Sequence, residues 1–328
     1  MREPNVRWQA VLAAGFTSAA ELLTFLNLPV QKGSAAAEQQ FKTRVPRGFA
    51  LRMEKENPYD PLLLQVLAVE EELVSWDGYV QDPLIEAEKN PHPGLLHKYA
   101  GRVLLMMTGA CAVNCRYCFR RHFPYEENQA GHHAWHDVLL YIAGDPSIHE
   151  VILSGGDPLL ANDKTLASLI DALGAIDHVQ TLRFHTRIPV VLPERVDEGL
   201  LQVLTRSRLH CVVVLHVNHP NELNEDVDRA CAALKKIGVY LLNQSVVLKG
   251  VNDDPQTLVA LSQRLFQSGV LPYYLHVLDK VQGAAHFDVS DEHALRLFSE
   301  VQASLPGYLV PRLVREIPGA LSKRLVGF

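Results

Sequence analysis

GRVLLMMTGACAVNCRYCFRR, residues 101–121, is the stretch whose reading decides the fold. Its first part, 103–108, is an apolar run of strand length. Its second part places three thiols, Cys111, Cys115 and Cys118, within eight residues at the spacing CxxxCxxC. Reactive side chains crowded just past a strand are what the carboxyl ends of strands in an α/β barrel carry. Downstream, short apolar runs at 151–154, 181–185, 211–216, 240–248 and 273–278 alternate with helical stretches such as 164–173, 226–236 and 256–267. That alternation predicts a parallel sheet covered by helices. About six such units predict a partial (β/α)6 TIM-like barrel, open rather than closed eight-fold.

Upstream the rhythm differs. Segments 17–28 and 62–74 have the apolar spacing of helices, and Pro46, Pro58, Pro61, Pro83, Pro91 and Pro93 punctuate them. The pattern predicts a small helical N-terminal region, 1–95, closed by a linker at Asn90-Pro91-His92-Pro93, and a barrel unit from 96 to 328. There is no internal repeat and no low-complexity run.

Composition narrows the class. The 328 residues are 48% hydrophobic and 21% charged, as in soluble globular proteins. With 37 acidic and 31 basic residues the net charge is −6, which does not favour a nucleic-acid partner. No apolar run reaches the roughly 18 residues of a membrane span. The start Met1-Arg2-Glu3 and the interrupting Glu21 do not read as a signal peptide. Five cysteines, an odd number with three crowded together, point to ligand chemistry in a reducing compartment, hence a cytoplasmic metalloenzyme. Cys211 and Cys231, in an expected strand and helix, read as ordinary buried thiols.

A loop holding three thiols with Asn114 and Arg116 is not core-like. Zinc would need a fourth ligand, which His122 could supply. Three thiolates with no fourth cysteine nearby instead suit a [4Fe–4S] cluster with one open iron. With Tyr117 before the third cysteine, the spacing resembles the radical S-adenosylmethionine (SAM) superfamily. In that superfamily the open iron chelates SAM, and one electron splits it to a 5′-deoxyadenosyl radical. Ser154-Gly155-Gly156-Asp157-Pro158 follows the next strand, where adjacent glycines permit close backbone approach. It resembles the superfamily's SAM-amino-binding motif, with Asp157 in the acidic position.

From Lys98 to Lys323 the chain resembles the lysine 2,3-aminomutase family, which uses pyridoxal phosphate (PLP) together with SAM. The stretches that carry the resemblance are CAVNCRYCFRR, ILSGGDPLL, His216-Val217-Asn218-His219-Pro220-Asn221-Glu222, LLNQSVVLKGVND, PYYLHVLDKV and Glu316-Ile317-Pro318-Gly319-Ala320-Leu321-Ser322-Lys323. The resemblance implies that Lys323 carries PLP covalently as the catalytic lysine. It implies that Arg102 and Lys98 hold the PLP phosphate and ring oxygen, and that Tyr99 lies against the ring. Lys98 stands where the family has Arg, a point charge for a fork. Arg120 is implied to pair with the substrate carboxylate, and His216 and Gln244 to lie near SAM. Asp279 and Glu316 are implied to bind the distal ammonium of free L-lysine, with Glu316 standing where the family has Asp. Two acids suit a diamine and repel a distal carboxylate. An external one-electron donor is implied.

The five residues after Lys323, fewer than in the fermentative members, and the stretches at 41–49, 52–55 and 57–63 resemble the branch that serves β-lysylation of elongation factor P. That branch implies conversion of (S)-α-lysine to (R)-β-lysine, which a separate ligase attaches to the factor. Other readings are a free-standing lysine 2,3-aminomutase of amino-acid metabolism and a radical SAM enzyme without PLP.

Overall fold

Seven parallel strands follow one another in space in the order they occur in the chain. The structure, a computed structural model, describes residues 7–125 and 134–327. Five short helices come first: α1 (Trp8–Ala13), α2 (Ala19–Phe25), α3 (Ala35–Gln40), α4 (Arg47–Ala50) and α5 (Pro61–Leu64). Then β1 (Leu95–Tyr99) turns back antiparallel onto β2 (Arg102–Thr108). From β2 the chain runs α6 (Ala134–Gly144), β3 (Glu150–Gly155), α7 (Asp163–Gly174), β4 (Thr181–Thr186), α8 (Ile188–Val191), α9 (Glu198–Leu204) and β5 (His210–His216). It continues through α10 (Glu225–Lys236), β6 (Tyr240–Val246), α11 (Pro255–Gln267), β7 (Leu271–His276), α12 (Asp291–Ser304), β8 (Arg312–Arg315) and the antiparallel β9 (Arg324–Leu325). Strands β2 to β8 pair in parallel, each with the next, so six helical crossovers build the partial barrel the sequence predicts.

The helices start where the sequence supplies an acceptor. Asn162, Asp197, Asn224, Asp254 and Ser290 each take an amide N–H of the first turn of α7, α9, α10, α11 and α12. Strand β4 alternates cleanly. Leu182 and Phe184 are buried in the core, and the intervening Arg183 and His185 point into the barrel.

The helix expected at 62–74 is not one helix. It breaks into α5 and a 3-10 turn at Glu70–Leu73. The Gln65 carbonyl that would continue it accepts instead from Arg116 N–H at 2.9 Å. Apolar residues on both sides of position 95, among them Leu22, Phe49 and Leu62 with Val103, Leu153 and Phe184, lie in one core cluster. The start of the N-terminal region, residues 1–6, is outside the described residues. Among the described residues no helix is long and apolar enough to cross a membrane.

Candidate active site

A cavity of about 500 Å³ opens along the barrel interior at the carboxyl ends of the strands. Its size is that of an ordinary ligand site. Every residue to which the resemblance gives a cofactor or substrate role lines it: the three clustered cysteines, Lys98, Tyr99, Arg102, Arg120, Ser154 to Asp157, His216, Gln244, Asp279, Glu316 and Lys323. They come from loops after β2, β3, β7 and β8 and from the strands themselves.

The cysteine loop is held from the N-terminal region. Asn114 N–H donates to the Arg44 carbonyl at 3.1 Å, and Arg44 Nη1 donates to the Cys111 carbonyl at 3.2 Å. Within the loop read as not core-like, the cysteines and Asn114 are half-buried, but Arg116 is not. Its side chain is fully buried, because Glu72 offers a paired carboxylate at 2.8 and 2.6 Å. Burial, with neighbouring thiolates, pushes the Cys111 thiol well up and the Cys118 thiol to about 11. Such thiols keep their protons until a metal replaces them. Among the described residues no three His, Cys, Asp or Glu side chains are arranged to hold a metal ion. His122, the candidate fourth ligand, does not line the cavity that the three cysteines line, and its Nε2 meets the Gln282 carbonyl at 3.1 Å. Three thiols around one cavity wall still fit a cluster, in which each thiolate takes a different iron.

The Gly-Gly turn after β3 is shaped by contact with the base of that loop. Gly155 has φ +114°, and a Cβ there would lie 2.5 Å from the Thr108 carbonyl oxygen. A Cβ on Gly156 would lie 2.1 Å from the Ala110 oxygen. Asp157, expected at the SAM amino group, is taken up by its own fold. One oxygen accepts from Thr186 Oγ1 and Leu159 N–H at 2.6 and 3.1 Å. The other accepts from Arg187 and Ile188 N–H at 2.8 and 3.2 Å. Burial pushes its carboxyl up to about 6.

The lysine end carries alternating charge. Lys323 Nζ donates to Glu316, whose other oxygen takes Lys98 Nζ at 2.9 Å. Lys98 also meets Glu86 at 2.9 Å, and Glu86 spans the Arg120 guanidinium at 2.7 and 2.8 Å. Arg120 thus presents only Nη1 elsewhere, to Ser154 Oγ at 3.0 Å. Burial works to raise the Glu316 carboxyl, but Lys323 and Lys98 outweigh it and hold it well below the usual range. Among the described residues Asp279 has no such ion pair. Burial first, then the Glu316 charge, pushes it up to about 7. The Arg102 guanidinium lies over the Tyr99 ring, 4.7 Å from its centroid.

Sequence reasoning missed Glu86, Arg183, His185, Arg187 and His276, which line the same cavity or, for Glu86, close its charge chain. A signal existed for three of them: Arg183, His185 and His276 are polar residues at alternate positions in otherwise apolar strands, as lumen-facing side chains are. Glu86 gives none, as one acid in a proline-punctuated segment. Burial drives His216 and His276 down to about 3 and His185 well below its usual value, so these three histidines are held neutral. Gln244 contacts His216 Nε2.

Residues 105–261 match the family model described as Radical SAM superfamily. The fold and the cavity are therefore those of a radical SAM enzyme, a class defined by a [4Fe–4S] cluster and SAM. The L-lysine 2,3-aminomutase of Haemophilus influenzae is 50% identical over 99% of this chain and 98% of its own. That of Escherichia coli is 51% identical over 96% and 93%. That of Clostridium subterminale is 35% identical over 89% and 70%. A solved radical SAM methyltransferase from Sphaerobacter thermophilus aligns at TM-score 0.48 and 17% identity, covering 67% of this chain and 68% of that one. The chain belongs to the L-lysine 2,3-aminomutase family, isomerases whose substrate is lysine.

Proposed function

We propose that this chain is a PLP-dependent radical SAM isomerase that converts (S)-α-lysine to (R)-β-lysine. The observation that carries the reading is the amine of Lys323 seated on Glu316 in the cavity that Cys111, Cys115 and Cys118 also line. It joins a candidate PLP lysine, an acidic pocket and a cluster loop in one space. The donor set fits the cofactors. Lys98 and Arg102 offer cations for a phosphate, Tyr99 offers a ring face, and Ser154, Gly155 and Gly156 line the wall beside the cysteines. When bound, the cluster and SAM supply a hydrogen-abstracting carbon radical, and PLP supplies a carbonyl that tethers the migrating amino group.

The residues then divide the work. Arg120 orients the substrate carboxylate through the donor that Glu86 leaves free. Asp279 and Glu316 receive the distal ammonium. Lys323, itself a lysine side chain resting on Glu316, marks where a primary ammonium is stable in this cavity. His185, His216 and His276, held neutral by burial, line the same space. The electron comes from an external donor.

We further infer that the β-lysine serves modification of elongation factor P through a separate ligase. The N-terminal stretches at 41–49, 52–55 and 57–63 support this destination. The test is anaerobic turnover of L-lysine by protein loaded with iron, sulfide and PLP, with SAM and dithionite, followed by chiral chromatography. (R)-β-lysine that depends on PLP is the expected product. Turnover unchanged without PLP, or no β-lysine at all, overturns the assignment.

A further inference from the structure

Arg187 is a buried guanidinium that none of the roles above uses. It follows β4 directly, and its backbone N–H is fixed on Asp157. Its Nη1 donates to Cys115 Sγ at 2.7 Å. Its Nη2 donates to Gln65 Oε1 at 2.6 Å and to Glu222 Oε2 at 2.8 Å. Glu222 is itself immobilised, with its other oxygen taking Gln65 Nε2 and the Asn218 and His219 N–H groups. The guanidinium lies against the Phe49 and Tyr117 rings. Among the described residues its buried Nε–H has no acceptor, although Arg187 lines the cavity. A buried donor left without a partner is rare and asks for one.

We propose that Arg187 is a positioning residue that sets the reduction potential of the iron–sulfur cluster, through its hydrogen bond to Cys115 and its spare donor. The inference rests on the reading that Cys115 ligates the cluster. Reduction adds negative charge to the cluster and its thiolates. A guanidinium N–H on one of those sulfurs stabilises the reduced form more than the oxidised form, and hydrogen bonds to sulfur are a recognised control of cluster potential. Glu222 compensates the charge of Arg187, which lets the arginine stay buried beside Cys115. The geometry also links the potential to the N-terminal region through Gln65.

Arg187→Gln should make the cluster harder to reduce, and Arg187→Lys should fall between that variant and the parent. One charge-assisted hydrogen bond of about 1.5 kcal/mol corresponds to about tenfold in the reduced-to-oxidised ratio. For a one-electron couple that is about 59 mV more negative. The measurement is a potentiometric titration followed by electron paramagnetic resonance, with iron counted per chain. A second measurement needs no folded variant. Enzyme grown on arginine labelled with ¹⁵N in the guanidino group should show a ¹⁵N hyperfine coupling to the reduced cluster by pulsed resonance.

Loaded variants with the parent potential, or a labelled parent with no coupling, overturn the proposal. Loss of the cluster in both variants, together with the coupling in the parent, supports it. Cys115→Ala separates the underlying reading: if it keeps full iron and the parent signal, Cys115 is not a ligand.

Discussion

Asp279 is the acid left half-protonated near neutrality, and that state makes it a reporter of substrate. A carboxyl pushed up to about 7 in the free site must lose its proton to receive an ammonium. The ammonium favours the ionised form, so lysine binding pulls its pKa down. Below about pH 7, therefore, log kcat/KM for lysine should fall by about one unit per pH unit, and binding at pH 7 should release about half a proton per site. Asp279→Asn removes that limb. It also leaves the ammonium underpaired, at about 2–5 kcal/mol. At about 1.4 kcal/mol per tenfold, kcat/KM drops about 30-fold to several thousand-fold. Steady-state β-lysine formation across pH, with cofactor content on the same samples, checks both. A variant with the parent kcat/KM rules out the ammonium clamp. Lys323 is tested without kinetics. Borohydride reduction of PLP-loaded protein should fix a pyridoxyl group on Lys323. A label on Lys249 or Lys280 instead refutes the assignment.

Elements decide whether those residues meet. The turn after β3 lies so close to 108–110 that Gly156→Ala must move backbone, because a 2.1 Å contact with a carbonyl oxygen cannot be relieved by a rotamer. Overpacking of this kind costs about 1–3 kcal/mol. The variant should show a lower urea midpoint and bind less iron per chain after reconstitution, since the same oxygen accepts Asp157 N–H at the base of the cysteine loop. A parent midpoint with full iron contradicts that account.

The six central strands were legible in the sequence because each is a short, mostly apolar run set off from the helical stretches beside it. Thus the reading at 181–185 differs from β4 by one residue. The outlying strands β1, β8 and β9 were not legible, β1 and β9 being the two edges and β8 the strand beside β9. Leu95–Tyr99 holds His97 and Lys98, and Arg312–Arg315 begins and ends on arginine, so neither has the hydrophobic signature of a buried strand. The cysteines and the Gly-Gly turn stand out by their motif spacing, whereas Lys323 stands out only through the family resemblance. Glu86 and Arg187 do not stand out, because their meaning lies in partners 34 and 72 positions away along the chain.

At the scale of the whole molecule, the N-terminal region packs behind the cysteine loop. Glu72 accepts Arg116 at 2.8 and 2.6 Å and Arg121 at 2.6 Å, and all three side chains are at most 1% exposed. Arg116 sits between Cys115 and Cys118, so one carboxylate from the N-terminal region fixes the path of the loop. The arginines also lie against Phe41 and donate to the carbonyls of Phe41 and Gly283. Two guanidinium groups buried around one carboxylate depend on its charge. Removing it leaves them uncompensated, and breaking such a buried group costs about 3–5 kcal/mol. Glu72→Gln keeps the shape and removes the charge, so it isolates that cost from packing. The Arg206–Asp171 pair supplies the contrast. It is about as short, 2.9 Å, but its side chains are 54% and 48% exposed, and solvent screens it. Asp171→Asn should therefore melt with the parent, while Glu72→Gln should melt well below it and release iron faster to a chelator under anaerobic conditions. If Glu72→Gln keeps both the parent melting temperature and the parent iron-release rate, the N-terminal region is held by its apolar core alone, and the buried triad has no part in shaping the cluster loop.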